Sequence, residues 1–140
     1  MICVQLMSEN AKLPTRGTNQ SAGLDLYTPI DITIPPHGDV MVPLDIRIQL
    51  EPNTMMLIRE RSSVATKKKV IIGACVIDSD YRGNVIIHLM NISDKEVNFV
   101  KGEKIAQGIV FPVIMDIPIQ VDEIDIDTSR GEGGFGSTGK

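Results

Sequence analysis

Aromatic residues, cysteine and histidine are scarce: the 140-residue chain has no tryptophan, two tyrosines, three phenylalanines, two cysteines and two histidines. Cys3 and Cys75 are far apart in the sequence, and their spacing fits no zinc site, so we expect free, buried thiols in a reducing compartment. No apolar run is long enough to span a bilayer. Met1 to Met7 contains no apolar stretch after a basic start, so we expect no secretory signal. These absences favour a cytoplasmic protein, or one inside a host cell if the source is viral.

Basic residues are not in excess, since the formal net charge is -4. This balance argues against stable nucleic-acid binding. The one basic run, Lys67 to Lys69, is typical of a solvated surface. An anionic ligand would therefore need local cations, backbone N–H donors or a metal ion. The hydrophobic content of 42% is sufficient for one domain with a substantial core.

Apolar residues recur with period two, which predicts half-buried strands. The longest alternation covers Val40 to Leu50, where Pro43 indicates an edge or a bulge. The other predicted strands are Cys3–Leu6, Leu24–Tyr27, Ile32–Ile34, Thr54–Arg59, Val70–Ile77, Asn84–Met90, Glu96–Val100 and Ala106–Ile114. Gly, Pro, Asn and Asp separate them, and only residues 63–69 favour a short helix. The pattern predicts an all-β sandwich or jelly roll.

A glycine-rich segment, residues 129–140, ends the sequence. Gly134 to Lys140 is similar to a P-loop and also fits the dinucleotide fingerprint, but both require a following helix. The sequence stops at Lys140, so we expect neither. Composition alone favours an unstructured end. The alternative is an arm that closes over a polyphosphate and extends from a catalytic domain of residues 1–128.

Four internal segments carry polar groups that suit chemistry. Asp78 follows an apolar strand and is either a turn residue or a fixed base for a water molecule. Arg61, with the hydroxyls after it, is either part of a helix cap with a surface ion pair or a phosphate site. Gln107 and Asp25 each lie in an apolar strand and need polar partners if buried. His88 is interpreted as a packing residue.

In chain order these segments read Ala-Gly-Leu-Asp-Leu, Arg-Ser-Ser, Val-Ile-Asp-Ser-Asp-Tyr-Arg-Gly, Gly-Glu-Lys-Ile-Ala-Gln and Arg-Gly-Glu-Gly-Gly-Phe-Gly-Ser-Thr-Gly. The series resembles the five-motif pattern of the homotrimeric dUTP pyrophosphatases (dUTPases) over residues 22 to 139. The resemblance implies a distorted jelly-roll (β-clip) subunit with at most one short helix, and three active sites between the subunits of a trimer. It also implies Mg²⁺-dependent hydrolysis of dUTP to dUMP and pyrophosphate. That reaction would limit uracil in DNA and supply dUMP for thymidylate synthesis.

The resemblance also implies roles for individual residues. Asp78 would activate the attacking water, and Asp25 would lie near the metal through water. Tyr81 would pack against deoxyribose, and Phe135 would stack on uracil. The uracil edge would be read by a hairpin made by Ile72, Gly73, Ala74, Cys75, Val76 and Ile77. The phosphates would be bound by Arg61, Ser62, Ser63, Gln107, Arg130, Gly136, Ser137 and Thr138.

Four positions depart from the family pattern. Cys75 stands where glycine is usual, which puts the hairpin conformation in question. Glu60 replaces a proline, and we expect it either to pair with Arg61 or to repel phosphate. Val64 is an unusual residue in its motif, and Gly108 stands where leucine or methionine is common, so we expect weaker packing there.

Two other functions remain open. A dCTP deaminase, or a bifunctional deaminase and dUTPase, shares the fold, but these enzymes use a hairpin glutamate and none occurs between Val64 and His88. A nucleotide-gated protein that signals through an unidentified regulatory partner is the second alternative.

Overall fold

The computed structural model describes residues 1–134, and it forms 12 strands with one π-helical turn. The strands are β1 (Cys3–Leu6), β2 (Thr15–Arg16), β3 (Leu24–Tyr27), β4 (Ile32–Ile34), β5 (Asp39–Pro43), β6 (Ile46–Gln49), β7 (Thr54–Arg59), β8 (Val70–Ile72), β9 (Val76–Asp78), β10 (Ile86–Asn91), β11 (Val97–Phe99) and β12 (Lys104–Pro112). The helical turn spans Val64–Lys68. The all-β prediction with at most one short helix is confirmed.

Four antiparallel sheets make up the fold. The largest has five strands in the order β2-β3-β12-β7-β9, and a three-stranded sheet has the order β5-β10-β8. The pairs β1-β6 and β11-β4 complete the fold. In β4, β6 and β7 every second residue is buried, as period-two alternation predicts. The core between the sheets contains Leu26, Ile34, Leu44, Ile46, Met56, Ile58, Ile87, Leu89, Phe99 and Ile105.

The long alternation of residues 40–50 is two strands rather than one. Asp45 breaks it with a left-handed backbone, at a φ of 55°. The strain is supported by hydrogen bonds, because Ser8 Oγ donates to Asp45 Oδ2 at 2.9 Å and Met7 N–H donates to the Asp45 carbonyl at 2.8 Å. The chain therefore turns a corner at Asp45 and passes from the β5 sheet to the β6 sheet. Pro43 closes β5, which is an edge strand of its sheet, so the edge alternative is confirmed and the bulge is wrong.

The predicted strand over residues 70–77 is also divided. β8 pairs with β10, whereas β9 pairs with β7. Gly73 to Cys75 connects these two strands across two different sheets. β8 and β9 do not pair with each other in the described part of the chain, so the expected hairpin is a crossing between sheets. The difference arises because each strand has a longer neighbour available as its partner.

Beyond β12 the described chain, residues 113–134, contains no strand or helix. Its apolar side chains are largely exposed, and Ile114 and Ile117 are each 86% exposed. In residues 1–134 no helix is long and apolar enough to cross a membrane.

Candidate active site

A polar cleft, here called the Arg61 cleft, opens at one end of the five-stranded sheet. It has a volume of about 370 Å³ and is lined by Gly17, Ser21, Gly23, Asp25, Arg61, Ser62, Ser63 and Gln107. Four of the predicted phosphate residues and the predicted metal-side carboxylate thus lie around one cavity. Ser63 stands at the start of the helical turn, but its hydroxyl makes no capping hydrogen bond. The helix-cap interpretation is therefore wrong for Ser63.

Strand register places the key side chains of this cleft in one row. Asp25 on β3 is directly opposite Gln107 on β12, and Gln107 is directly opposite Arg59 on β7. Residues that oppose each other in an antiparallel ladder point to the same face. Arg61 follows two residues beyond Arg59 and reaches back over this row. Three separate sequence motifs meet here because their strands are neighbours.

Asp25 is held between two cations. Arg61 Nε donates to Asp25 Oδ1 at 2.8 Å, and Lys104 Nζ lies 2.6 Å from Asp25 Oδ2. The Asp25 side chain is only 11% exposed, and a carboxylate buried to this extent requires partners of opposite charge, which Arg61 and Lys104 provide. The hydrogen bond from Lys104 to Asp25 raises the pKa of Lys104, with desolvation opposing it. Two cations against one carboxylate leave the cleft with a surplus positive charge.

Lys104 reaches Asp25 because of a β-bulge in β12. The register shifts between Lys104, which faces Tyr27, and Ala106, which faces Leu26. A bulge inserts one unpaired residue and so changes which face the following positions occupy. Without it, Lys104 and Gln107 would point to opposite faces, since they are separated by an odd number of residues. The sequence interpretation missed Lys104, although the Gly-Glu-Lys-Ile motif contains it.

The Gln107 side chain is also fixed. Its Nε2 donates to the Glu60 carbonyl at 2.8 Å, and a side chain at Gly23 would collide with its amide. Gly23 is therefore required for close approach, and it is a second cleft residue that sequence reasoning did not single out. The prediction that a buried Gln107 needs a polar partner is confirmed.

No group of three or more His, Cys, Asp or Glu residues within residues 1–134 could hold a metal ion. Both Asp25 oxygens are engaged by cations. Direct ligation would have to displace one of them, but each oxygen retains a lone pair that can accept from a water molecule. The donor set therefore fits Mg²⁺ that is held chiefly by phosphate oxygens, with Asp25 acting through water.

A second, more apolar depression, here called the Asp78 cleft, lies beside the edge strand β9. Its volume is about 190 Å³, and it is lined by Met41, Ala74, Val76, Ile77, Asp78, Tyr81 and Ile86. Asp78 is exposed at the end of β9. Within residues 1–134 its carboxylate makes no hydrogen bond or ion pair.

The loop after Asp78 is stabilised by its own hydrogen bonds. Tyr81 N–H donates to the Asp78 carbonyl at 3.2 Å, and Tyr81 Oη donates to the Asn84 carbonyl at 2.9 Å. The tyrosine ring lies over Gly83, where a side chain would collide with it. Arg82 also donates to the Ser79 carbonyl at 2.7 Å. The loop thus holds the ring of Tyr81 in a defined place next to Asp78.

The segment between β8 and β9 is anchored through its backbone. Gly73 N–H donates to the His88 carbonyl at 3.0 Å, and the Cys75 carbonyl accepts from Ile58 N–H at 2.7 Å. The His88 ring occupies the space where a Gly73 side chain would be, so its interpretation as a packing residue is confirmed. Ala74, between the two anchors, is exposed and has no hydrogen bond to residues 1–134.

Both clefts lie on the outer face of the same five-stranded sheet. Asp78 is opposite Met55, and Met55 and Arg59 share a face of β7 because they are four residues apart. At about 3.4 Å per residue, the two rows are roughly 13 Å apart. The clefts have no lining residue in common. One chain therefore does not bring Asp78 to its own Arg61 cleft.

The predicted arm residues take no part in either cleft as far as they are described. Arg130 is exposed, and its Nε donates to the Gly133 carbonyl at 2.7 Å. Phe135, Gly136, Ser137 and Thr138 lie outside the described residues.

The four departures from the family pattern have structural explanations. Glu60 contacts Arg59 and Ile72 rather than Arg61, which pairs with Asp25, so the expected Glu60–Arg61 pair is wrong. Gly108 does not leave a gap, because Met56 Sδ lies 2.5 Å from the position of a Cβ there. Val64 is buried in the core, and the half-buried Cys75 packs against that core. Cys3 is exposed, so the expectation of buried thiols is wrong.

Comparison with known proteins agrees with this arrangement. The family model described as dUTPase matches residues 9–139. The deoxyuridine 5'-triphosphate nucleotidohydrolase of Debaryomyces hansenii is 46% identical over 98% of this chain and 86% of its own length. That of Arabidopsis thaliana is 42% identical over 97% of this chain and 81% of its own length.

Solved structures show the same architecture. The Staphylococcus bacteriophage 80alpha dUTPase with dUpNHpp superposes with a TM-score of 0.94 at 26% identity, covering 100% of this chain and 99% of that chain. A mutant dUTPase of phage phi11, described with a structural Mg(II) ion, has a TM-score of 0.84 at 22% identity over 89% of this chain and 99% of that chain. The jelly-roll (β-clip) prediction is confirmed. The chain belongs to the dUTPase family, whose relatives carry the name deoxyuridine 5'-triphosphate nucleotidohydrolase.

Proposed function

We propose that this protein hydrolyses dUTP to dUMP and pyrophosphate, with the Asp78 carboxylate as the base that activates water. The observation that carries the proposal is the contrast between Asp78, which is exposed and unpaired within residues 1–134, and the cationic Arg61 cleft on the same sheet face. A carboxylate is ionised at neutral pH and can take a proton from water without further activation.

In the proposed reaction, water attacks the α-phosphorus of dUTP and pyrophosphate is the leaving group. Water oxygen bonds to the α-phosphorus as a water proton passes to Asp78. The bond from the α-phosphorus to the bridging oxygen of the β-phosphate breaks, and pyrophosphate leaves. Arg61, Ser62, Ser63 and Gln107 would bind phosphate oxygens, so the cleft would favour the charge that develops on them. Mg²⁺, held by those oxygens and through water by Asp25, would supply further charge neutralisation.

Base and sugar recognition would occur at the Asp78 cleft. The free backbone groups of Ala74 are fixed between the Gly73 and Cys75 anchors and can read a uracil edge. The Tyr81 ring would pack against deoxyribose and exclude a 2'-hydroxyl by its bulk. The adjoining segment, residues 72–77, would exclude the methyl group of thymine. A rigid polar pocket rejects an added group more strongly than an apolar pocket does.

We further propose a homotrimer with active sites between subunits. Three observations support it: the two clefts of one chain are separate, the outer sheet face is partly apolar, and residues 114–126 expose a row of apolar side chains. Val76 is 52% exposed, and Ile119 is 81% exposed. Exposed apolar surface of this extent is typical of an interface. A second copy would cover it and place an Arg61 cleft opposite an Asp78 cleft.

The arm of residues 129–140 would complete the site. Arg130, Gly136, Ser137 and Thr138 would supply phosphate donors, and Phe135 would stack on the base. A triphosphate carries several negative charges, whereas the Arg61 cleft has only one surplus cation. Further donors are therefore needed for tight binding.

Pyrophosphate release from dUTP, dTTP, dCTP and UTP, with and without Mg²⁺, tests the proposal in the wild type and Asp78→Asn. We expect dUTP to be preferred, and the substitution to lower kcat about 10²–10⁴-fold with an unchanged melting temperature. Asp94→Asn, on an exposed carboxylate far from both clefts, serves as the control. Rapid turnover by Asp78→Asn would refute the assigned base. Ammonia release from dCTP would instead support the deaminase alternative, although none of the residues within 1–134 that line the Asp78 cleft is a glutamate.

A further inference from the structure

One residue, Glu60, touches both halves of the proposed active site. Its side chain carboxylate Oε1 accepts from Ile72 N–H at 2.9 Å, where β8 ends and the 72–77 segment begins. Its backbone carbonyl accepts from Gln107 Nε2 at 2.8 Å, in the Arg61 cleft. The Glu60 side chain is only 14% exposed, and both hydrogen bonds are partly buried.

The carboxylate bridges two sheets. Glu60 directly follows β7 in the five-stranded sheet, whereas Ile72 closes β8 in the three-stranded sheet. The other end of the 72–77 segment is anchored to the same strand, because Ile58 N–H donates to the Cys75 carbonyl at 2.7 Å. The segment is thus held by two hydrogen bonds to the end of β7, in addition to the bond from Gly73 N–H to the His88 carbonyl on β10. Loss of the Glu60 bond would loosen the start of the segment, two residues before the exposed Ala74.

Backbone N–H groups and Arg59 together favour the charged form of the Glu60 carboxylate. Arg59 Nη2 lies 3.1 Å from Glu60 Oε2, which leaves Oε1 for Ile72. Burial raises the pKa of Glu60, but hydrogen bonds from the N–H groups of Ile72 and of Glu60 itself, with the charge of Arg59, outweigh it, and the net pKa is lowered. The proline that is usual in the family at this position has no side-chain acceptor.

We propose that Glu60 is a positioning residue that fixes the 72–77 segment for base recognition and ties it to the Gln107 amide of the Arg61 cleft. The inference rests on the proposed assignment of that segment to the nucleotide base. Glu60 itself would not touch the substrate. It would act through the Ile72 peptide group, so its removal should weaken substrate binding and base selectivity more than the chemical step.

The test compares three variants of the full-length protein. Glu60→Ala removes the acceptor, Glu60→Gln keeps an oxygen that can accept the same bond, and Arg59→Met removes only the ion pair. Glu9→Ala, on an exposed carboxylate, is the control. Hydrogen–deuterium exchange at Ile72 measures the bridge directly, and steady-state kinetics with dUTP and dTTP measure its effect.

For Glu60→Ala we expect at least about tenfold faster exchange at Ile72 and about a tenfold rise in KM for dUTP, which corresponds to about 1.4 kcal/mol. The dUTP preference over dTTP should fall, and kcat should change less than about threefold. Glu60→Gln should restore both readouts to within about threefold of wild type, because its amide oxygen accepts the same hydrogen bond.

Three results would overturn the inference: unchanged Ile72 exchange in Glu60→Ala, equal behaviour of the Ala and Gln variants, or a fall in kcat with constant KM. Failure of the proposed function has a different signature, since wild type itself would then show no dUTP turnover. The exchange measurement reports on the Glu60–Ile72 bridge in either case.

Discussion

The two clefts of this protein differ in whether their charged groups have partners of opposite charge. In the Arg61 cleft every charged group already has a partner, since Asp25 joins Arg61 and Lys104. In the Asp78 cleft the carboxylate stands exposed and unpaired within residues 1–134. A paired cleft is organised before a ligand arrives and keeps its cations in place. An unpaired carboxylate remains free to accept a proton, which is the task proposed for Asp78.

This contrast makes deletion of residues 129–140 the most severe test outside Asp78 itself. The Arg61 cleft alone offers one surplus positive charge, so loss of the arm's donors should lower kcat/KM for dUTP about 10²–10³-fold, similar to the loss of a transition-state donor. Because the sheets lie within residues 1–112, the melting temperature should stay unchanged. Deleting Lys140 alone is the control. Full activity without the arm would contradict its proposed role.

Asp25→Asn tests the charge pairing of the Arg61 cleft, because it leaves Arg61 and Lys104 close to each other without an anion between them. We expect a loss of about 1–3 kcal/mol in the free energy of unfolding, moderated by the partial exposure of both cations. Urea denaturation measures the change, with Asp94→Asn as an exposed match that should stay within about 0.5 kcal/mol. Identical midpoints for wild type and Asp25→Asn would show that the pairing does not organise the cleft.

The smallest expected effect concerns pH. Asp25 raises the pKa of Lys104 above its ordinary value of 10.5. The ammonium form is therefore favoured in the folded state, and its contribution is fully present below the unfolded pKa and lost as pH rises through the folded one. Melting temperatures of wild type and Lys104→Met should differ slightly below the ordinary pKa of 10.5 and converge as the pH rises through the raised pKa of Lys104. A difference that persists at high pH would assign the effect to packing on Tyr27 rather than to charge.

The bounds of β1, β3, β4 and β7 match those predicted from the sequence, and in β4 and β7 burial alternates along the strand. It failed where the chain changes sheets. Asp45 has no sequence mark of a left-handed corner, because its conformation depends on Ser8 and Met7, far away in the chain. The division of the 70–77 strand likewise depends on which neighbours β8 and β9 find. Local patterns cannot specify long-range pairing.

The same limit applies to the site. Asp25, Arg61 and Gln107 were identified from their motifs, and strand register explains why they meet. Lys104 and Glu60 were missed as site residues because each reaches its partner through a feature of the tertiary structure, a bulge in one case and a contact between sheets in the other. Gly108 was interpreted as a packing defect, since the compensating Met56 lies on a different strand.

The bulge in β12 has a consequence for how the family's sequences can vary. Ile105 is the extra residue that turns Lys104 toward Asp25. Whether Lys104 pairs with Asp25 therefore depends on the extra residue in β12 as much as on the presence of a lysine. Deletion of Ile105 would turn the Lys104 side chain toward the hydrophobic interior and leave Asp25 with Arg61 as its remaining counterion, although Lys104 itself would still be in the sequence.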